Sequence, residues 1–210
     1  MRDATYQSWD DKFWLLTSDD KAAYIIKNFK HHFYDSENNV KVTAGETNTH
    51  KGAQTYFQKN EARDLEDFLT SYVNSKLKEH NYPFMLDDNP FQREAPNRPV
   101  LLGSRWKIQY QPGGWQGAHN HQTAEDLDVD GETYTMISVV TYFNNPGLAT
   151  QDGYLYSIFP EKDGTMKKIE VEPSAGKVLI MSGNLFHGIY PTSVERNIIV
   201  MDFVAKRLEQ

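Results

Sequence analysis

From Val100 onward the chain breaks into short runs in which apolar and polar residues alternate, and this succession constrains the fold more than any other feature of the sequence. VLLGSRWKIQY places Trp106, Ile108 and Tyr110 on one face. YTMISVVTYF (134–143), GYLYSIF (153–159), KKIEV (167–171), GKVLIMS (176–182) and RNIIVMDFV (196–204) follow, each bounded by Gly, Pro, Asn or Asp. Short strands closed by regular turns predict a sandwich, jelly roll or barrel.

The first hundred residues read differently. Ser18 can cap a helix in which Ala22, Ile25, Ile26, Phe29 and Phe33 recur at three- and four-residue steps. From Glu61 to His80, Leu65, Phe68, Leu69, Tyr72, Val73 and Leu77 form an apolar stripe between charged faces, the pattern of an amphipathic helix laid on a sheet. TAGETNTHKG reads as a polar loop, and NYPFMLDDNPFQREAPNRP as a turn-rich crossing of the surface after which the strands begin. The expected class is α+β, a mainly β core flanked by N-terminal helices. At 210 residues one domain suffices, with residues 1–99 as a helical support layer and loops and residues 100–205 as the core.

Composition narrows the chemistry. A formal charge of -7 argues against duplex nucleic acid or an anionic membrane as the main partner. With no cysteine, disulfides, thiolate metal sites and cysteine nucleophiles are excluded, so a metal must sit on His, Asp, Glu or amide groups. MRDATYQSWDDKFW carries acids and no continuous apolar run, and no segment nears the roughly 20 apolar residues of a membrane span. A soluble cytoplasmic protein is expected; the oligomeric state is not legible.

The chemistry-bearing stretch is YQPGGWQGAHNH. Residues i and i+2 of a strand share a face, so His119 and His121 can reach one point together. His187, in GNLFHGIYP, follows an apolar strand and stands where a third ligand could come from a facing sheet, and Arg196 opens the final strand.

From Tyr110, this segment resembles the Tyr-x-x-Gly run leading into the His-x-Asp motif of Fe(II)/2-oxoglutarate-dependent dioxygenases, particularly the prolyl-4-hydroxylase-like branch. TYFNNP, then DG and an aromatic strand, then VEPSAGKVLIMSGNLFHGIYPTSVERNIIV are similar to that branch's downstream half. The resemblance covers roughly residues 100–205. It implies a double-stranded β-helix (jelly roll) with iron at its open end. His119 matches the first ligand and His187 the distal one; Arg196 matches the arginine that pairs with the distal carboxylate of 2-oxoglutarate, and Tyr110 stands where a hydroxyl can reach that carboxylate. A guanidinium fork meets a carboxylate in two parallel hydrogen bonds, which fixes orientation. Three protein ligands leave positions for 2-oxoglutarate and O2. The implied reaction is hydroxylation of a peptidyl residue or small molecule, with release of succinate and CO2.

The sequence departs from this family at the acid, where it has His121. Three explanations stand. His121 is the third ligand, in a three-histidine site with one more positive charge, as in the similar short His-x-His oxygenases of marine bacteria and phages. A carboxylate of residues 125–132, such as Glu125, Asp126 or Asp128, reaches in instead. Or the site is impaired. Correspondingly, a cupin-like three-histidine dioxygenase that does not use 2-oxoglutarate and a non-enzymatic β-helix binding module are the rival functions. Asp126, Asp128, Asp130 and Gly131 copy the start of a calcium loop, but position 12 is Ile137, so a solvated or lid-like loop is expected. His31, His32, His50 and His80 read as surface groups, and Trp106 and Trp115 as core and pocket-wall residues.

Overall fold

A computed structural model describes residues 2–8, 12–33, 40–46, 50–57, 61–88, 92–95, 98–121 and 126–209. The chain runs through β1 (Ala4–Gln7), β2 (Phe13–Leu16), α1 (Ala22–Phe29), the hairpin β3 (Val40–Glu46) and β4 (His50–Tyr56), and α2 (Arg63–Glu79). There follow β5 (Phe84–Leu86), β6 (Gln92–Ala95), β7 (Arg98–Leu102), β8 (Arg105–Tyr110), β9 (Trp115–His119), β10 (Leu127–Val129) and β11 (Glu132–Tyr142). The last five strands are β12 (Leu155–Pro160), β13 (Met166–Val171), β14 (Val178–Ser182), β15 (His187–Ile189) and β16 (Arg196–Arg207). All but β6 and β7 join one sheet, whose main path runs β1-β2-β14-β11-β16-β8-β4-β9-β15-β12-β13.

The sheet curls until its two ends face each other. Leu155 and Phe159 of β12, Val171 of β13 and Ile189 of β15 share one buried cluster with Ile108, Val140, Leu179, Ile198 and Val200 from the far side of the roll. The outer face of the larger half carries the second cluster, in which Leu65, Leu69, Val73 and Leu77 of α2 and Ile25 and Phe29 of α1 meet Ile137, Val139, Val178, Ile180, Ile199, Met201 and Phe203. Each such large apolar side chain contributes about 1.5–3 kcal/mol when fully buried. This is why RNIIVMDFV is nearly continuously apolar: odd-numbered residues of β16 face the helices and even-numbered ones face the inside of the roll. The inward positions include two charges, Arg196 and Asp202, both buried. Six residues apart, they stand about 20 Å from each other along the strand.

β11, β12, β13, β14 and β16 lie where the alternation predicts them, whereas the single run expected over 100–110 is split into β7, in a separate two-stranded sheet, and β8; α2 falls within its predicted span. The amino-terminal hundred residues contain more sheet than expected. TAGETNTHKG is not a loop throughout: Val40–Glu46 and His50–Tyr56 pair as strands, with residues 47–49 outside the described residues. The polarity misleads because β4 is held by pairing, to β3 on one edge and to β8 and β9 on the other. The proline-rich crossing likewise contains β5 and β6, and β1 and β2 extend the sheet before the first helix. Ser18 does not cap α1; its hydroxyl donates to Asp20 in the 3-10 turn Asp19–Lys21 that precedes the helix. The calcium-like segment is a hairpin: Asp130 (φ 53°) and Gly131 (φ 81°) form a two-residue turn of the left-handed kind that joins β10 to β11, and Asp128 accepts the Thr133 hydroxyl. Among the described residues no helix is long and apolar enough to cross a membrane.

Candidate metal centre and the adjoining cavity

His119 ends β9 and His187 opens β15, and the two are direct register partners across that pair of strands. His121 lies just past β9, so strand alternation alone does not bring it to His119. Its position is set by its own backbone N–H, which donates to Gly183 O at 2.9 Å in the turn between β14 and β15. Gly183 N–H in turn donates to Met136 O at 2.7 Å, an approach so close that a Cβ on residue 183 would lie 2.6 Å from Met136 Cβ. One glycine turn thus aligns the segments bearing His121 and His187.

The three imidazoles converge: one ring nitrogen from each lies within 4.8 Å of the other two. The ring centroids are 4.5 Å apart for His119–His187, 4.8 Å for His121–His187 and 5.1 Å for His119–His121. Every Nδ1 points away from the point of convergence, toward an acceptor. His119 Nδ1 donates to Gly117 O and His187 Nδ1 to Leu185 O, each at 2.9 Å. His121 Nδ1 donates to Asp202 Oδ1 at 2.7 Å. In the neutral rings all three Nε2 atoms are therefore lone-pair donors. His119 Nε2 and His121 Nε2 stand 3.1 Å apart. That is close to the roughly 3.0 Å between two nitrogens set about 2.1 Å from a common ion at a right angle. Lone pairs so placed repel unless a cation, either a proton on His121 or a metal ion, lies between them.

The site's electrostatics point the same way. Burial and the two neighbouring imidazoles push the His187 pKa well below the usual histidine value, so it stays neutral and available as a ligand. Burial also opposes charge on His121, but the Asp202 carboxylate outweighs it and raises the pKa. Asp202, buried yet charged, is held low by His121 and by hydroxyls: Ser138 Oγ donates at 2.6 Å, and Ser104 Oγ donates to Oδ2. Trp106 Nε1 donates to Ser104 Oγ at 3.0 Å and completes the network.

A cavity of about 320 Å³ opens beside the histidines. Its walls are largely apolar, with Trp106, Ile108, Val140, Leu155, Ile198 and Val200 among them, and Gln54 and Gln116 supply polar groups. Trp106 is thus a wall residue, whereas Trp115 is not among the lining residues. Arg196, Tyr110 and Tyr142 lie on the same inner face, outside the residues that line the cavity. The Arg196 guanidinium donates from Nη1 to Gly153 O and sits 5.2 Å from the Tyr142 ring centre. Its Nε and Nη2 form no well-aligned hydrogen bond to an acceptor among the described residues, and the Tyr142 hydroxyl interacts with the guanidinium alone. Burial lowers the Arg196 pKa and raises those of both phenols. Tyr110 pairs with Arg196 across β8 and β16, but its hydroxyl donates to Gln116 Oε1 at 2.6 Å. Orphaned guanidinium nitrogens deep in an apolar roll fit an anionic group with two acceptor oxygens.

The structure therefore brings together His119, His121 and His187, and brings Arg196 beside Tyr110. No described carboxylate of residues 126–132 joins the histidine cluster, and Glu125 lies outside the described residues. Sequence reasoning missed Asp202, Ser138, Ser104 and Tyr142. The signal was present for Asp202, the one acid of β16, set within the apolar run from Ile198 to Ala205. Two other clusters of histidine and acid are knit by ion pairs: His31 and His32 with Asp64, and His80 with Asp3. His32, read from sequence as a surface group, is buried between Phe29 and Phe57 because the 3-10 turn after α1 rotates it inward; the side chain of His50 lies outside the described residues.

No protein-family model matches the sequence, and no curated protein matches it. Solved structures do match in fold. A prolyl-4-hydroxylase from Pseudomonas putida is 17% identical, with 94% of this chain and 93% of that one covered at a TM-score of 0.56. HygX from Streptomyces hygroscopicus, with nickel and 2-oxoglutarate bound, is 12% identical over 93% of this chain and 84% of its own, with a TM-score of 0.54. The non-haem α-ketoglutarate-dependent epimerase SnoN from nogalamycin biosynthesis is 10% identical over 93% and 81%, with a TM-score of 0.58. The curled sheet with helices on its outer face is thus the double-stranded β-helix fold of the iron- and 2-oxoglutarate-dependent oxygenases.

Proposed function

We propose that the chain is a non-haem Fe(II)- and 2-oxoglutarate-dependent oxygenase that hydroxylates a peptidyl residue or a small molecule, with release of succinate and CO2. His119, His121 and His187 hold the metal, and Arg196 receives the distal carboxylate of 2-oxoglutarate. The observation that carries this reading is the convergence of three imidazoles whose Nδ1 atoms are all committed as donors, so that three lone pairs face one point. Fe(II) with 2-oxoglutarate and O2 would supply oxidative decarboxylation coupled to oxidation of a substrate carbon. The chain's own part is positioning and exclusion of water. Arg196, rigidly seated under Tyr142, orients the co-substrate from the deep end. The apolar wall from Ile108 to Leu155 keeps bulk water from the reacting groups, and Gln54 and Gln116 offer hydrogen bonds that orient what enters.

The test is anaerobic addition of Fe(II) and 2-oxoglutarate to the purified protein, followed by O2. A weak visible charge-transfer band and succinate formation are expected; absence of both overturns the reading. Iron occupancy should fall in His121→Ala, and full retention there would remove His121 from the ligand set. The three-histidine composition also favours a second reading, a cupin-like dioxygenase in which substrate binds iron directly. Arg196→Ala separates the two, weakening 2-oxoglutarate binding in the first case and leaving turnover largely intact in the second.

A further inference from the structure

We infer that Asp202 is a positioning residue of the histidine centre, supplying through His121 the negative charge that a directly ligating carboxylate would otherwise bring. The inference rests on the reading that the three histidines hold a metal ion. His119 and His187 are aligned by neutral backbone carbonyls, whereas His121 is aligned by a carboxylate. The contact places Asp202 on the Nδ1 side of the ring, so Nε2 faces the point where the three rings converge. A carboxylate behind a ligating imidazole fixes its tautomer and orientation and raises its basicity.

The charge count is the second argument. A divalent ion with three neutral imidazoles carries two positive charges; with Asp202 at one remove the cluster carries one. That equals the charge of two imidazoles and a ligating carboxylate around the same ion. The acid has been displaced outward by the width of one ring rather than lost. Its surroundings keep it there. Ser138 Oγ donates to Oδ1 and also lies 2.9 Å from His121 Nδ1, and Ser104 Oγ donates to Oδ2. With three donors on it and 5% exposure, the carboxylate is committed to His121 although it lines the cavity wall. A buried carboxylate is costly unless so satisfied.

Co(II) is the probe, because its visible spectrum reports the ligand field as well as occupancy. Metal-free wild type should take up one Co(II) per chain. Asp202→Asn keeps the shape and an acceptor for His121 Nδ1 but removes the charge; it should bind Co(II) about 10–100-fold more weakly, with a shifted visible band. Ser138→Ala, which loosens the carboxylate without deleting it, should shift affinity in the same direction by less, and it serves if Asp202→Asn does not fold. Affinity within twofold of wild type and an unchanged spectrum, in Asp202→Asn or in Ser138→Ala should the former not fold, overturn the inference alone. Failure of the wild type to bind Co(II) overturns the metal reading and this inference with it.

Discussion

Replacing Arg196 with Met should stabilise the protein in the absence of 2-oxoglutarate and abolish its stabilisation by that molecule. The guanidinium is 3% exposed, and among the described residues it forms no ion pair. Nε and Nη2 form no well-aligned hydrogen bond to an acceptor among the described residues. Each unsatisfied buried donor costs about 1–3 kcal/mol. The bond to Gly153 O returns about 1.5–3 kcal/mol and the Tyr142 ring about 0.5–2 kcal/mol. These contributions nearly offset one another, so the several kcal/mol of desolvation carried by an unpaired buried cation decides the sign. Met fills the space with no polar atom, and a net gain of about 1 kcal/mol would raise Tm by about 2–4 °C in a chain of this size. With 2-oxoglutarate at a hundred times its Kd, the wild type should gain about 2.7 kcal/mol, or about 5–10 °C, and the variant nothing. Differential scanning calorimetry of the Zn(II)-loaded proteins with and without 2-oxoglutarate therefore shows the order of the two melting temperatures reversing. If Arg196→Met melts below wild type without 2-oxoglutarate and both proteins rise equally with it, Arg196 is a structural residue and the co-substrate binds elsewhere.

Three further outcomes follow from particular contacts. Asp3 ties the amino-terminal segment to α2 through Lys76 at 2.8 Å and His80 at 3.0 Å, and against the burial that opposes it these partners and Ser18 hold its carboxyl below the usual range. A depressed carboxyl stabilises above its unfolded pKa of about 3.9, and that contribution is lost as pH falls below it. Asp3→Asn should therefore cost about 2–4 kcal/mol at pH 7 in urea unfolding, a deficit that shrinks as the pH drops below about 4. Gly183→Ala forces a Cβ against Met136, with the carbonyl oxygen 2.9 Å away; about 1–3 kcal/mol of stability should be lost, and Co(II) affinity should drop because His121 and His187 shift apart. Tyr142→Phe should weaken 2-oxoglutarate binding, measured by calorimetric titration, more than Tyr110→Phe, because the Tyr110 hydroxyl is already spent on Gln116 while that of Tyr142 faces only the guanidinium.

How much of the fold could be read from the sequence follows from how each element is buried. β11, β12, β14 and β16 are bounded by turn residues and have at least one dry face, so apolar content and punctuation mark them. α2 has one dry face and one wet one, and its stripe marks it equally well. β4 has neither pattern; its strand character comes from pairing with β3 on one edge and with β8 and then β9 on the other, the latter two outside any local window. β1, β5 and β6 are short strands of three or four residues whose partners are distant or turn-flanked.

The site was legible in proportion to how local its geometry is. His119 and His187 carry their own Nδ1 acceptors two residues back, at Gly117 and Leu185, so their alignment is written within each segment. His121 is different: its backbone is held by Gly183 and its ring by Asp202, residues 62 and 81 positions away. Sequence spacing therefore found the histidine but could not say what made a histidine workable there. The alternation of β16 makes the reason intelligible. A strand buried on both faces admits a charge only where a partner awaits it, and β16 carries two inward charges, Arg196 at its start and Asp202 near its middle. Arg196 has partners only in part, as the proposed site for an anion brought from outside requires; Asp202 is fully partnered, as its proposed positioning role requires. On the proposed reading, His121, just past β9, and Asp202, on β16, act as one unit, and neither should tolerate change without the other.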